Sequence, residues 1–282
     1  LGFKALEDFE ADTDGHGNNT AVGASAMMNA STGTENTALG NLAMAGGVTT
    51  GNSNVALGHG TGYNISSGQD NTLVGTGTGD SITSGARNTA VGFAALATEN
   101  AHGNNTAIGY AALNTLDADA EGYNVAIGSN SGKLMTSGVN NSLLGYNSGT
   151  AITTGANNVA LGQGALGANT TASDNVAIGV SALGANVLGA SSIAIGLQSL
   201  AQQVPSGATV MHNVGVGQKT GFAVTTGVQN TLIGGLAGDA LTTGDNNIII
   251  GYAAAASAVG VDNTTVIGTT ATTNAKVHGL VK

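Results

Sequence analysis

The chain has 282 residues, a mass of 27.1 kDa and a formal net charge of −10, with 47 glycines, no tryptophan and no cysteine. Charged residues make up 8% and aromatic residues 3%, so neither a charge-rich disordered chain nor a thick aromatic core is expected. This composition argues against a conventional enzyme fold and excludes disulfides and thiolate metal sites. It also disfavours nucleic acid as a partner, because phosphate binding needs clustered Lys and Arg.

A motif of the form Asn-x-Ala-(Val/Ile/Leu)-Gly runs through the whole chain, and its last residue is called the closing glycine below. Eleven of the fifteen intervals between closing glycines are 17 residues long, and the others are 18, 19 and twice 21. A fixed period of this length is typical of repeat architectures. The closing glycines are Gly2, Gly23, Gly40, Gly58, Gly75, Gly92, Gly109, Gly128, Gly145, Gly162, Gly179, Gly196, Gly217, Gly234, Gly251 and Gly268.

The residues before each closing glycine predict a very short β-strand. Val, Ile or Leu stands directly before the glycine in all fifteen complete copies, and Thr, Val or Ile stands three before it in fourteen. The residue between these two is Ala in nine copies. Because successive side chains of a strand point to opposite faces, we predict that the β-branched set, Ile108 among them, points inward and that Ala points to the other face.

Asparagine stands four residues before the closing glycine in thirteen copies, with Ser192 and Thr264 in the other two. Stacked repeats place each Asn above the preceding one, so we predict a ladder of side-chain amides that also satisfies backbone groups of the turns. The predicted ladder consists of Asn19, Asn36, Asn54, Asn71, Asn88, Asn105, Asn124, Asn141, Asn158, Asn175, Asn213, Asn230 and Asn247.

The second half of each copy reads either x-x-Ala-Leu, as at residues 93–96, or x-x-(Ser/Thr)-Gly, as at residues 146–149. Short strands and Gly-rich turns, without a segment of helical period, predict an all-β parallel β-solenoid of about 15 coils over residues 1–268. Residues 269–282 leave the repeat and predict a neck-like strand or the start of a further domain. The Ala-bearing face of so narrow a coil needs a cover, so we expect a homo-oligomer.

The motif resembles the head repeat of trimeric autotransporter adhesins at residues 104–109, 157–162 and 191–196. The 17-residue period and the recurrent Thr-Thr-Gly-x-x-Asn element are more similar to repeats of phage tail fibres. Both resemblances imply a homotrimeric, left-handed parallel β-roll that serves attachment. They imply an extracellular location, on a virion or a bacterial surface, and a host-cell surface glycan or protein as a further partner.

Copies that depart from the period are the predicted binding loops, because insertions into a regular scaffold are the easiest place to add a contact surface. Residues 117–122 place acidic side chains at alternate positions before a glycine, but they lack the remaining features of a calcium loop. A solvated acidic loop and a cation site therefore both stay open, and no metal site is predicted. The candidate loop residues are Asp12, Asp14, His16, Asp117, Asp119, Glu121, Gln203 and Pro205.

Motifs for catalysis fail when they are checked in context, so no catalytic residue and no cofactor is predicted. The segment 215–220 suggests a phosphate loop, but Gln218 precedes Lys219 and no helix pattern follows. No apolar run reaches the about 18 residues of a membrane span. The predicted function is a structural and adhesive segment of a trimeric extracellular fibre, with a phage tail fibre favoured. An adhesin head and, more distantly, an ice-binding solenoid are the alternatives.

Overall fold

The computed structural model describes residues 2–7, 17–118 and 120–272, and the chain divides into two compact units, Leu1–Asn157 and Asn158–Lys282. Within these ranges every regular element is a β-strand. The predicted all-β parallel β-solenoid of about 15 coils is confirmed, because successive strands pair in parallel with equivalent residues in register, as Thr20 does with Thr37. Of the predicted neck-like segment, residues 273–282 lie outside the described residues.

The strands are short and evenly spaced in both units. In the first unit they are β1 (Thr20–Val22), β2 (Thr37–Leu39), β3 (Val55–Leu57), β4 (Thr72–Val74), β5 (Thr89–Val91), β6 (Thr106–Ile108), β7 (Val125–Ile127) and β8 (Ser142–Leu144). In the second unit they are β9 (Val159–Leu161), β10 (Val176–Ile178), β11 (Gly189–Ala190), β12 (Ile193–Ile195), β13 (Thr209–Val210), β14 (Val214–Val216), β15 (Thr231–Ile233), β16 (Ile248–Ile250) and β17 (Thr265–Ile267). β11 and β13 pair with each other outside the main ladder.

The closing glycine ends each strand for a steric reason. Gly92 has φ = +132°, and a Cβ atom placed on it would lie 2.4 Å from the carbonyl oxygen of Gly109 in the next coil. Residues with a side chain rarely adopt this backbone conformation, and a Cβ atom cannot lie so close to a carbonyl oxygen. The coils therefore stack through backbone-to-backbone contact at this column, which only glycine permits.

The prediction that the β-branched residues point inward is wrong. In β6 the central Ala107 is fully buried, whereas Ile108 is 36% exposed and Thr106 is partly exposed. The same pattern, in which the central residue is more buried than its two neighbours, recurs in the other three-residue strands. The alternation was therefore predicted correctly, but the two faces were exchanged.

The coil interior explains this orientation, because the sizes of the buried strand residue and of a nearby turn residue complement each other in the coils compared next. Where the strand carries Ala107, the turn of the same coil carries the fully buried Leu113. Where the strand carries Leu73, the turns beside it carry Gly62 and Gly79, whose added Cβ atoms would lie 3.0 and 2.9 Å from Leu73 Cδ1. In these coils close packing of the interior thus pairs a small strand residue with a large turn residue, or the reverse.

Candidate functional site

One column of the outward face of the sheet is aliphatic along both units. The residue directly before the closing glycine is Val, Ile or Leu in every main strand, and its side chain points away from the coil interior. Soluble monomers rarely expose a contiguous apolar stripe of this kind, and such stripes mark interaction surfaces. We call this stripe the outward aliphatic face; its most exposed members are Val22, Leu39, Leu57, Ile108, Leu144, Leu161, Ile195, Ile233 and Ile267.

Exposed aromatic side chains lie directly after four closing glycines of the first unit: Phe3 stands apart near the start of the chain, and the other three follow strands of the main ladder. Phe93, Tyr110 and Tyr146 are 54%, 54% and 53% exposed. The rings of Phe93 and Tyr110 stack with centroids 5.5 Å apart and an interplanar angle of 10°. These three residues, called the aromatic group below, follow strands β5, β6 and β8.

The asparagines form a continuous hydrogen-bond pattern through the regular coils. The backbone N–H of Asn71 donates to Oδ1 of Asn54 over 3.1 Å, and Oδ1 of Asn71 accepts the N–H of Asn88 over 3.0 Å. Nδ2 of Asn71 donates to the carbonyl oxygen of Gly85 over 2.8 Å. Each buried amide therefore joins three neighbouring turns, which is a structural role and leaves nothing for a ligand.

Hydroxyl groups of the threonine- and serine-rich turns also form hydrogen bonds between successive coils. The hydroxyl of Ser66 donates to the carbonyl oxygen of Thr83 over 3.1 Å, and those of Thr225 and Thr242 donate to carbonyl oxygens of the next coil. A flat hydroxyl array for ice needs these groups to face the solvent freely. The turn chemistry therefore gives the ice-binding alternative no support.

The acidic loop around residue 117 lies where one coil is two residues longer than the repeat. Asp117 is exposed, and Oε2 of Glu121 accepts hydrogen bonds from the N–H of Gly103, over 3.1 Å, and from Nδ2 of Asn104. Oε1 of Glu121 lies 3.8 Å from Nη2 of Arg87. Glu121 is thus engaged with its own scaffold. The other predicted member, Asp119, lies outside the described residues, as do Asp12, Asp14 and His16.

A buried acid, Glu99, was missed by the sequence analysis. It is fully buried at the coil position that Ile82 occupies one repeat earlier, seven residues after the closing glycine. Its Oε1 accepts the N–H of His102 over 3.0 Å and lies 3.9 Å from Nδ1 of the same residue. Its Oε2 and His102 Nδ1 have no hydrogen-bond partner. Burial raises the pKa of Glu99, although the nearby N–H groups of His102 and Ala118 lower it.

The coil between Gly196 and Gly217 is four residues longer than the repeat and contains Gln203 and Pro205, which the sequence analysis placed among the candidate binding-loop residues. Both side chains are buried, so neither is available to a partner. Nε2 of Gln203 donates to the hydroxyl of Ser192 over 3.1 Å, and its Oε1 accepts Nδ2 of Asn213 over 2.9 Å. Ser192 is the residue that replaces Asn in the ladder, so the inserted glutamine supplies the missing amide.

Metal-binding and membrane-spanning features were searched over the described residues. Within those ranges, no three His, Asp or Glu side chains are grouped so that they could hold a metal ion. No helical segment there has the length and hydrophobicity of a transmembrane span.

Comparisons with protein-family models, with curated proteins and with solved structures return no significant match to this chain. The features that bear on function are therefore the outward aliphatic face, the aromatic group and the coils that are longer than 17 residues.

Proposed function

We propose that the chain is a structural and adhesive segment of a homotrimeric extracellular fibre, with a phage tail fibre as the favoured setting and a bacterial adhesin head as the alternative. In this proposal the coil is a left-handed roll, as both resembling families imply. The observation that carries it is the outward aliphatic face: Ile108 is 36% exposed and Leu144 is 46% exposed in strands whose other face is already filled. A face of this kind is stabilised when it is covered.

A second and third copy of the chain are the covers that fit best. The face repeats once per strand, at about 4.8 Å, so a cover must present apolar groups with the same spacing over many strands. Another copy of the chain has the same strand spacing because its sequence is the same. Closed symmetry lets three copies cover one another's outward aliphatic face, so that no copy leaves its face exposed. The hydrogen-bonded Asn column supplies rigidity along each unit, and three parallel copies would repeat any weak surface contact for avidity.

The assembly is tested by light scattering after size exclusion, where a trimer has a mass of 81.3 kDa, three times 27.1 kDa. The variant Ile108→Asp places a charge on the outward face and should give a folded monomer. The matched variant Ala107→Asp places the same charge in the buried column and should prevent folding. A stable, folded monomer of the unaltered chain would contradict the trimer.

The adhesive half of the proposal needs its own measurement. We expect the trimer, immobilised on a sensor, to bind purified bacterial surface glycans or surface proteins more strongly than the Ile108→Asp monomer, because three copies of a weak contact act together. A trimer that binds none of a broad panel of bacterial envelope preparations would leave a spacer role only. That result would remove the adhesive claim and keep the assembly claim.

A further inference from the structure

The outward aliphatic face has a property that a lateral assembly must overcome: it is nearly the same in every coil. In the first unit, shifting one copy by one coil puts Val91 where Ile108 had been, and both are aliphatic. Periodic faces of this kind define their partner but not their axial register. In coiled coils the same ambiguity is removed by single residues that break the repeat.

The aromatic group breaks this periodicity. The equivalent positions of the four preceding coils carry the small or polar residues Ala24, Asn41, His59 and Thr76, with Phe3 one coil before these, whereas the following coils carry Phe93 and Tyr110. Ser129 comes next along the column, and Tyr146 follows it. The order aromatic, aromatic, serine, aromatic occurs at one height only in the first unit. No shift by whole coils reproduces it.

We propose that the aromatic group contacts a second copy of this chain and fixes the axial register of the assembly. The proposal rests on the homotrimer proposed above and adds to it the residues that align the copies. Phe93, Tyr110 and Tyr146 are each just over half exposed, and aromatic rings left in water forgo both apolar burial and ring-to-ring contact. In register, three copies bring all three rings to the same heights; after a slip of one coil only Phe93 and Tyr110 still share a height, and the other rings meet residues such as Thr76 or Ser129 instead.

The composition of the face agrees with a second copy as the occupant. In the first unit the residue directly before the closing glycine is Val, Ile or Leu in all eight strands, whereas the other outward residue is Thr or Ser in six strands and Val in β3 and β7. The apolar surface is therefore one narrow stripe with the spacing of the coils, about 4.8 Å. A second copy presents an apolar stripe of the same width and spacing, so the two stripes can pack strand by strand.

The chain contains no cysteine, so introduced cysteines can report the register. Two variants, Val91→Cys and Ile108→Cys, are co-assembled, oxidised, and their disulfide-linked peptides are counted by mass spectrometry. A disulfide needs Cα atoms about 4.4–6.8 Å apart, and a slip of one coil moves a residue by about 4.8 Å. Links between identical positions therefore report aligned copies, and 91-to-108 links report slipped copies.

With the aromatic group intact, we expect identical-position links to exceed 91-to-108 links by about tenfold or more. In the triple variant Phe93→Ala, Tyr110→Ala, Tyr146→Ala, we expect the two kinds of link to become comparable while the mass stays that of a trimer. The control is Asn41→Ala, His59→Ala, Thr76→Ala in the same column, which should keep the preference of the unaltered chain.

A triple alanine variant that stays trimeric and keeps its tenfold preference would overturn the register proposal and leave the trimer intact. A monomeric unaltered chain would instead overturn the trimer, and the register proposal with it. If the triple variant does not assemble, the single variant Tyr110→Ser, which introduces the residue found at position 129, decides the question. We expect it to assemble with a larger share of 91-to-108 links, and an unchanged share would contradict the proposal.

Discussion

The asparagine ladder is built in two different ways at two positions, Asn71 in the first unit and Ser192 in the second. In the first unit Asn71 meets all its partners with its own amide: Oδ1 accepts the N–H of Asn88 and Nδ2 donates to Gly85. In the second unit Ser192 is too short to do this, and Gln203, brought in by an insertion, bonds to the serine hydroxyl and to Asn213. The hydrogen-bonding groups are thus kept although the residue that supplies them changes, because buried polar groups are costly when unpaired.

Glu99 gives a third version of the same comparison. Its carboxylate also lies in the buried interior, in a coil of regular length, but only Oε1 has a hydrogen-bond partner over an ordinary distance, and Oε2 has none. Gln203 therefore completes a network, whereas Glu99 leaves one incomplete. The difference predicts the order of the losses in the free energy of unfolding. Changes in the regular coils should cost most, and changes at Gln203, where an inserted residue completes the ladder, should cost less. Neutralising Glu99 should have the smallest effect, and that effect should depend on pH.

The largest expected effect comes from Gly92→Ala, which breaks the stacking of regular coils. The new Cβ would lie 2.4 Å from the carbonyl oxygen of Gly109 at a backbone φ of +132°. We expect a loss of about 4 kcal/mol or more in the free energy of unfolding, measured by denaturant titration with circular dichroism. The control Gly60→Ala, at φ = +61° with no atom within 4 Å of the new Cβ, should cost about 1–2 kcal/mol. Equal losses would show that backbone crowding is not what requires glycine.

Asn71→Leu is the next largest, because it removes the amide from a regular part of the ladder. The N–H of Asn88 and the carbonyl oxygen of Gly85 lose their partners inside the fold. We expect a loss of about 3 kcal/mol, with faster hydrogen exchange in the turns on both sides. Asn41→Leu is the matched control, since Asn41 is exposed and bonds only to Ala24 over 3.1 Å. If that variant is equally destabilised, the ladder is not the source of the effect.

Much of this architecture follows from the sequence, because a column is readable wherever the same residue type recurs at one position. The period, the parallel stacking and the positions of Asn71 and its equivalents are all of this kind. The orientation of the strands was predicted wrongly, since alternation shows that Ala107 and Ile108 lie on opposite faces but not which face is inside. The missing information is volume: Ala107 accompanies Leu113, and Leu73 accompanies glycine turns. The two types of second half in the repeat already carry this signal.

The candidate loops were harder to predict because an insertion looks like an exposed loop in the sequence. Gln203 is polar and lies two residues before the only proline, Pro205. Its side chain is nevertheless buried and completes the ladder at Asn213, ten residues further along the chain. Glu99 was visible in principle, since it occupies a column that otherwise reads Ile65, Ile82 and Leu116 in neighbouring coils. The sequence columns do not show which buried polar side chains find hydrogen-bond partners, because the partners depend on the path of neighbouring coils.

Gln203→Leu tests the repaired ladder. The variant leaves the hydroxyl of Ser192 without its amide partner and removes one acceptor of Asn213, which keeps its bond to Gly227. We therefore expect a loss of about 1–2 kcal/mol, smaller than that of Asn71→Leu. Gln202→Leu, at the exposed neighbouring position, should change stability by less than about 0.5 kcal/mol. A larger loss for Gln202→Leu than for Gln203→Leu would contradict the repair.

The variant Glu99→Gln tests the incomplete hydrogen bonding of Glu99 through the pH dependence of stability. Burial raises the pKa of Glu99, the His102 charge lowers it and the Asp117 charge raises it. Because the folded chain holds this proton more tightly than the unfolded chain, the stabilisation is present at low pH and is lost as pH rises above the ordinary value near 4.5. The unaltered chain should therefore lose stability relative to Glu99→Gln between about pH 4.5 and neutrality. Melting temperatures of both proteins across that range measure the difference. A difference that is constant with pH, or that shrinks as pH rises, would mean that Glu99 is not held protonated by its burial and that the incomplete network costs the fold nothing.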